Sequence, residues 1–137
     1  MLKKTITYTD YNGETRTEDF YFNFTKAELV QLQFGTIGGL DKLIEKIVST
    51  KSEPELIELF KMIIDKSYGQ KSPDGRRFIK DKDVLDDFVQ TEAYSELFME
   101  LATNDKAAAD FCNGLIPDSI RKEISSKETT LMMASKK

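Results

Sequence analysis

From Leu2 to Phe24 the chain alternates. Leu2, Ile6, Tyr8, Phe20, Phe22 and Phe24 fall on even positions, while Thr5, Thr7, Thr9, Thr15 and Thr17 fall on odd ones. A period of two predicts two β-strands, each with one buried face. Tyr11-Asn12-Gly13 lies between them, and parity decides how it turns. A two-residue Asn12-Gly13 turn would set Ile6 opposite Asp19 and aim the phenylalanines away from Ile6. A three-residue loop with Gly13 in the left-handed conformation sets Lys4 opposite Phe20 and Ile6 opposite Glu18, and keeps every even position on one face. The three-residue loop is therefore the expectation.

The period then changes. Thr25-Lys26-Ala27-Glu28 has the form of a capping box, with Leu29, Leu32 and Phe34 continuing a first helix and Gly35 to Gly39 stopping it. Leu40, Leu43, Ile44, Ile47 and Val48 recur on one helical face. After Ser52, with Pro54 in the first turn, Leu56, Leu59, Phe60, Ile63 and Ile64 repeat the spacing. Residues 67 to 77 contain Gly69, Pro73, Asp74 and Gly75 and read as a loop. Val84 to Val89 suggest a short helix and Tyr94, Leu97, Phe98 and Leu101 a longer one after Thr91. Ala107 to Phe111 suggest another, ended by Gly114, and Pro117 opens a last one with Ile120 and Ile124. The fold expected is α+β. A β-hairpin over residues 2–24 packs on a predominantly helical remainder, residues 25–124, in a single domain, with the hairpin's aromatic face over helices 40–48 and 54–66. Residues 125–137, dominated by Ser, Lys, Glu and Thr, read as a disordered, flexible tail.

Composition narrows the chemistry. The 137 residues hold no His and one Cys, which removes the His general base, the Cys-His pair, the His-containing zinc site and any internal disulfide. Nine Phe and five Tyr supply core material. The formal charge of −4 is unevenly placed: residues 121–137 carry +3, so the first 120 carry −7. An acidic body repels a phosphate backbone, which argues against nucleic-acid binding. No run approaches the roughly 20 apolar residues of a membrane span, and none resembles the apolar stretch of a signal peptide. With the lone Cys112 these features point to a reducing cytoplasm.

Individual motifs read as structure. Asp81 to Glu92 imitates a calcium loop, but Leu85 and Asp86 occupy positions that need an oxygen ligand and a glycine, so an acidic helix start is the better reading. Adjacent Asp86 and Asp87 point about 100° apart on a helix and do not form a carboxylate pair. The glycines at 35–39 and 69–75 lack the Gly-Lys-Ser/Thr ending of a phosphate loop. Ser119-Ile120-Arg121-Lys122 matches Ser-x-x-Lys without its partner motifs. Cys112 reads as a small core residue. No catalytic residue, metal ligand or cofactor site is expected. Two features point outward instead. Consecutive Phe98 and Met99 cannot both enter a core behind one narrow stripe, which makes Tyr94, Phe98 and Met99 a candidate contact surface, with core packing the competing reading for Tyr94 and Phe98. Leu131, Met132 and Met133 are either a tolerated end sequence or a short docking segment.

Taken in order, Thr5 to Leu29, Gly38 to Ile47, Leu56 to Asp74, Gln90 to Asn104 and Phe111 to Pro117 resemble the small tail assembly chaperones of long-tailed bacteriophages, of siphovirus type and Gram-positive hosts. The resemblance implies a non-enzymatic, mostly helical protein of the host bacterial cytoplasm. It would bind and solubilise the phage tape measure protein, help recruit the tail tube protein, possess the capacity to self-associate, and leave before the virion is finished. It also implies the option of a longer frameshifted product. The rival classes are a structural tail or head component retained in the virion, and an enzyme or nucleic-acid accessory factor, which the missing His and the acidic body disfavour.

Overall fold

The structure, a computed structural model, describes residues 1–49 and 53–124. Strands β1 (Leu2–Thr9) and β2 (Thr15–Phe22) pair antiparallel with Leu2 opposite Phe22, Lys4 opposite Phe20 and Ile6 opposite Glu18. The turn is the three-residue loop. Asp10 N–H donates to Glu14 O (2.8 Å), Gly13 has φ 82°, and the Asp10 carboxylate accepts from the Asn12 and Glu14 N–H groups. Even positions consequently share the inner face: Ile6, Tyr8 and Phe22 are buried, whereas Thr5, Thr7 and Thr17 are exposed.

Six helices follow the hairpin: α1 (Lys26–Gly35), α2 (Gly39–Ser49), α3 (Glu53–Ser67), α4 (Lys82–Val89), α5 (Glu92–Thr103) and α6 (Asp105–Leu115), with a further short helix, α7, at 118–124. The capping box of α1 is complete. Glu28 N–H donates to Thr25 Oγ1 and Thr25 N–H to Glu28 Oε1. Asp81, Thr91 and Asn104 cap α4, α5 and α6 in the same way, each side chain accepting the N–H of the third residue on. Asp81 thus spends its carboxylate on a helix start. Ser52, after which the sequence reading starts α3, lies outside the described residues, as does the segment 125–137.

Three expectations are corrected. Residues 67–77 are more than a loop. Strands β3 (Tyr68–Lys71) and β4 (Phe78–Ile79) extend the hairpin to a four-stranded antiparallel sheet in the order β1-β2-β3-β4. Ser72 and Asp74 build the turn between them, with Ser72 N–H donating to Arg77 O and Ser72 Oγ donating to Asp74 Oδ1. Second, Gly114 lies inside α6, which ends at Leu115. A side chain at 114 would come within 3.2 Å of Leu2 Cδ1, so the glycine admits the start of β1 rather than stopping the helix. Third, β1 rests mainly on α5 and α6, not on the two amphipathic helices at 40–66; α2 packs instead on α1, α3 and α6. Aromatic rings explain the preference. Phe22 lies edge-on to Tyr68, Phe88 and Phe111 at 5.6, 5.9 and 5.3 Å, so the sheet's inner face is completed by α4 and α6.

Candidate functional site

Thr91 positions α5 at both of its valences, accepting from Tyr94 N–H and donating through Oγ1 to Phe88 O at 2.7 Å. Along the helix Ala93, Leu97 and Leu101 enter the core. Tyr94 and Phe98, a turn apart, are half-buried, and Met99 is 57% exposed. Tyr94 ties α5 to α3: its hydroxyl donates to Asp65 Oδ1 at 3.1 Å, and Asp65 also holds Lys61 at 2.7 Å. Burial raises the phenol's pKa, and the adjacent Asp65 charge raises it further. The ring is a structural donor that remains protonated.

Lys61, Val89, Tyr94, Ser95, Phe98 and Met99 together line an apolar groove of about 360 Å³ where α3, α4 and α5 meet. The structure therefore brings Tyr94, Phe98 and Met99 to one surface, with Phe98 contributing one side of its ring to the cluster around Tyr94 (6.1 Å between centroids) and Met99 standing free. Leu131, Met132 and Met133 lie outside the described residues. α5 carries Glu92, Glu96 and Glu100 at helical i, i+4 spacing and no basic residue. Glu92 accepts from Tyr11 and Glu100 from Lys4.

Sequence reasoning missed a second groove on the other side of Met99, where Thr5, Ile6 and Thr7 of β1 face Glu96, Met99, Glu100 and Thr103 across about 360 Å³. The alternating pattern identifies β1 as a strand, but only the tertiary arrangement shows it to be an edge beside α5. Elsewhere titratable groups serve packing. Desolvation pushes the Cys112 thiol to about 12. The hydrogen bond to Glu18 is the main cause that takes the Tyr8 phenol to about 12. Among the described residues no group of three or more His, Cys, Asp or Glu side chains could hold a metal ion. No helix among them is long and apolar enough to cross a membrane.

What these features define is an α+β fold in which the glutamates of α5 flank an exposed methionine. Residues 1–136 match the family model described as phage tail assembly chaperone, and the chain belongs to that family. Its partners are accordingly proteins of tail assembly. Neither the curated proteins nor the solved structures give a match.

Proposed function

We propose that this protein binds the tape measure protein during tail assembly, holding its apolar helical stripes away from water, and helps to recruit tail tube subunits. Residues 1–124 act as one domain in the host cytoplasm, without catalysis and with self-association available to it, and the protein leaves before the virion is complete. The observation that supports the reading is Met99, more than half exposed on the rim of a groove floored by Tyr94 and Phe98. An amphipathic helix laid into such a groove buries its apolar face against rings and thioether while acidic neighbours discourage promiscuous contacts.

Co-expression with the cognate tape measure protein tests this. The tape measure is expected to be more soluble in the presence of this chain and to co-purify with it. Met99→Glu is expected to weaken that association at least tenfold, with an unfolding midpoint close to wild type because the side chain contributes little to the core. A tape measure equally soluble alone and never retained, or the chain abundant in finished particles, would transfer the assignment to a structural component retained in the virion.

A further inference from the structure

Alternate pairs in an antiparallel ladder exchange backbone hydrogen bonds. The bond from Asp10 N–H to Glu14 O puts the even-numbered residues of β2 in the set bonded to β1, so its odd-numbered residues turn their main-chain groups to the opposite edge. There β3 meets them only at the Phe22 end. Gly69 lies opposite Tyr21, and Asn23 N–H donates to Ser67 O at 2.8 Å. The next odd-numbered partners, Asp19 and Lys71, are not paired, and the main-chain groups of Thr15, Thr17 and Asp19 face no strand among the described residues. The two strands part around a cleft of about 470 Å³. Its floor is aromatic: the ring centroid of half-buried Phe20 lies 4.9 Å from that of Phe88, which stacks on Tyr68 at 4.3 Å. Its walls are acidic, with Glu18 from β2 and Asp87 from α4. Burial raises the pKa of the Tyr68 phenol, and the charges of Asp87 and Glu18 raise it further, against a hydrogen bond with Gln70 that lowers it. Two elements thus direct negative charge at one ring. Asp87 is exposed and forms no ion pair among the described residues. Arg16 is engaged by Asp10 at 2.7 Å and comes no nearer than 4.0 Å to Glu18. The lysine of β3, Lys71, lies over the Tyr21 ring on the sheet's other face.

We propose that β2 accepts, along Thr15, Thr17 and Asp19, an extended segment of a partner protein as an added strand, and that this segment places an arginine in the cleft over Phe20, between Glu18 and Asp87. The free main-chain groups of the odd-numbered residues supply the pairing, which any extended backbone can make. The cleft supplies the selection. In an added strand the side chains opposite Glu18 and Phe20 fall on the same face of the sheet as those residues, and so over the aromatic floor. A guanidinium there stacks its plane on a ring and donates to carboxylates at its edge, a combination that an uncharged side chain does not reproduce. A second copy paired through the same edge would instead bring Glu18 and Asp19 against their own duplicates, which is unfavourable. The cleft shares no lining residue with the groove around Met99, and the proposal does not rest on the tape measure reading.

Titration of the full chain with two synthetic heptapeptides, followed by the backbone amide signals in nuclear magnetic resonance, decides the matter. One is acetyl-Thr-Val-Thr-Arg-Thr-Val-Thr-amide; the other carries citrulline, the uncharged isostere, in place of arginine. The arginine peptide is expected to shift the Thr15, Thr17 and Asp19 amides while leaving Thr5 and Thr7 in place, and to bind roughly tenfold more tightly than the citrulline peptide at low salt. Asp87→Asn removes an exposed charge without touching the core. It is expected to weaken the arginine peptide roughly threefold or more and to leave the citrulline peptide unchanged. Equal affinity of the two peptides overturns the proposal, as does a response confined to Thr5 and Thr7 or no response at millimolar peptide. Shifts of Thr15, Thr17 and Asp19 that appear with rising protein concentration and no peptide also overturn it, and would give the edge to a second copy.

Discussion

Lys80 concentrates more structure than any other single charge described. Its Nζ donates to Asn23 O (2.6 Å), Lys66 O (2.8 Å) and Glu28 Oε2 (2.8 Å), so all three N–H bonds of the ammonium are used. These partners belong to the exit of β2, the C-terminal turn of α3 and the capping box of α1. The side chain is only 19% exposed. Lys80→Met keeps the stem and removes the donors, leaving two carbonyls and a carboxylate short of a partner. The expected loss is about 2–3 kcal/mol in urea unfolding, the range for bonds involving a charged group. The same residue sets a pH dependence. Burial pushes the Glu28 carboxyl up, but Lys80 and the Thr25 N–H outweigh it, and the pKa lies below its ordinary value of 4.5. A carboxylate depressed in the folded state stabilises above its unfolded pKa, and that contribution disappears as pH falls through the folded one. Lys80→Met is therefore expected to lose less stability than wild type on acidification below about pH 4.5, measured as unfolding free energy against pH.

Among elements, β3 and β4 are the informative pair because they explain what the chain pattern conceals. Gly69 lies in β3 opposite Tyr21, and a Cβ there would stand 2.6 Å from Phe78 Cε2 and 2.8 Å from Ile79 O. The second contact is backbone and cannot rotate aside. Gly69→Ala is expected to cost about 1–3 kcal/mol, seen as a lower urea midpoint with unchanged slope. Yet in the sequence this glycine, with Pro73 and Gly75 nearby, signals a turn. Strands of four and two residues are too short for a period of two to emerge. The first hairpin was legible down to its register because eight-residue strands repeat the alternation and one loop length alone satisfies it. The capping box of α1 was legible because it is local chemistry, whereas the Asn104 cap of α6 was not read. The packing partners of β1 were not: α2 and α3 have the most regular apolar stripes, whereas the rings that draw in the sheet come from Tyr68, Phe88 and Phe111, far apart in the chain. Of the candidate site, adjacency implied that one of Phe98 and Met99 stays outside the core, but not that it would be Met99. The groove beside β1 did not follow from the pattern, since being an edge is a property of the assembled sheet.

At the scale of the whole molecule, Phe22 is the junction. Fully buried, it meets rings from β3, α4 and α6 and so couples the sheet to the helices. Phe22→Ala is expected to cost about 3–5 kcal/mol, a large share of the 5–15 kcal/mol typical of a domain. Tyrosine fluorescence and far-ultraviolet dichroism should still change together across the denaturant range; separate transitions would mean that sheet and helices fold as independent units. Cys112 has a different consequence for the intact molecule. It is 1% exposed on α6, with its thiol pushed to about 12. Reagents in the surrounding solution meet this sulfur only when α6 lifts from its neighbours, so oxidants and alkylators are kept out by the fold itself rather than by the residue's chemistry. Covalent dimers cannot accumulate while the chain stays closed, and the pace at which a thiol dye attaches becomes a count of how often the molecule opens.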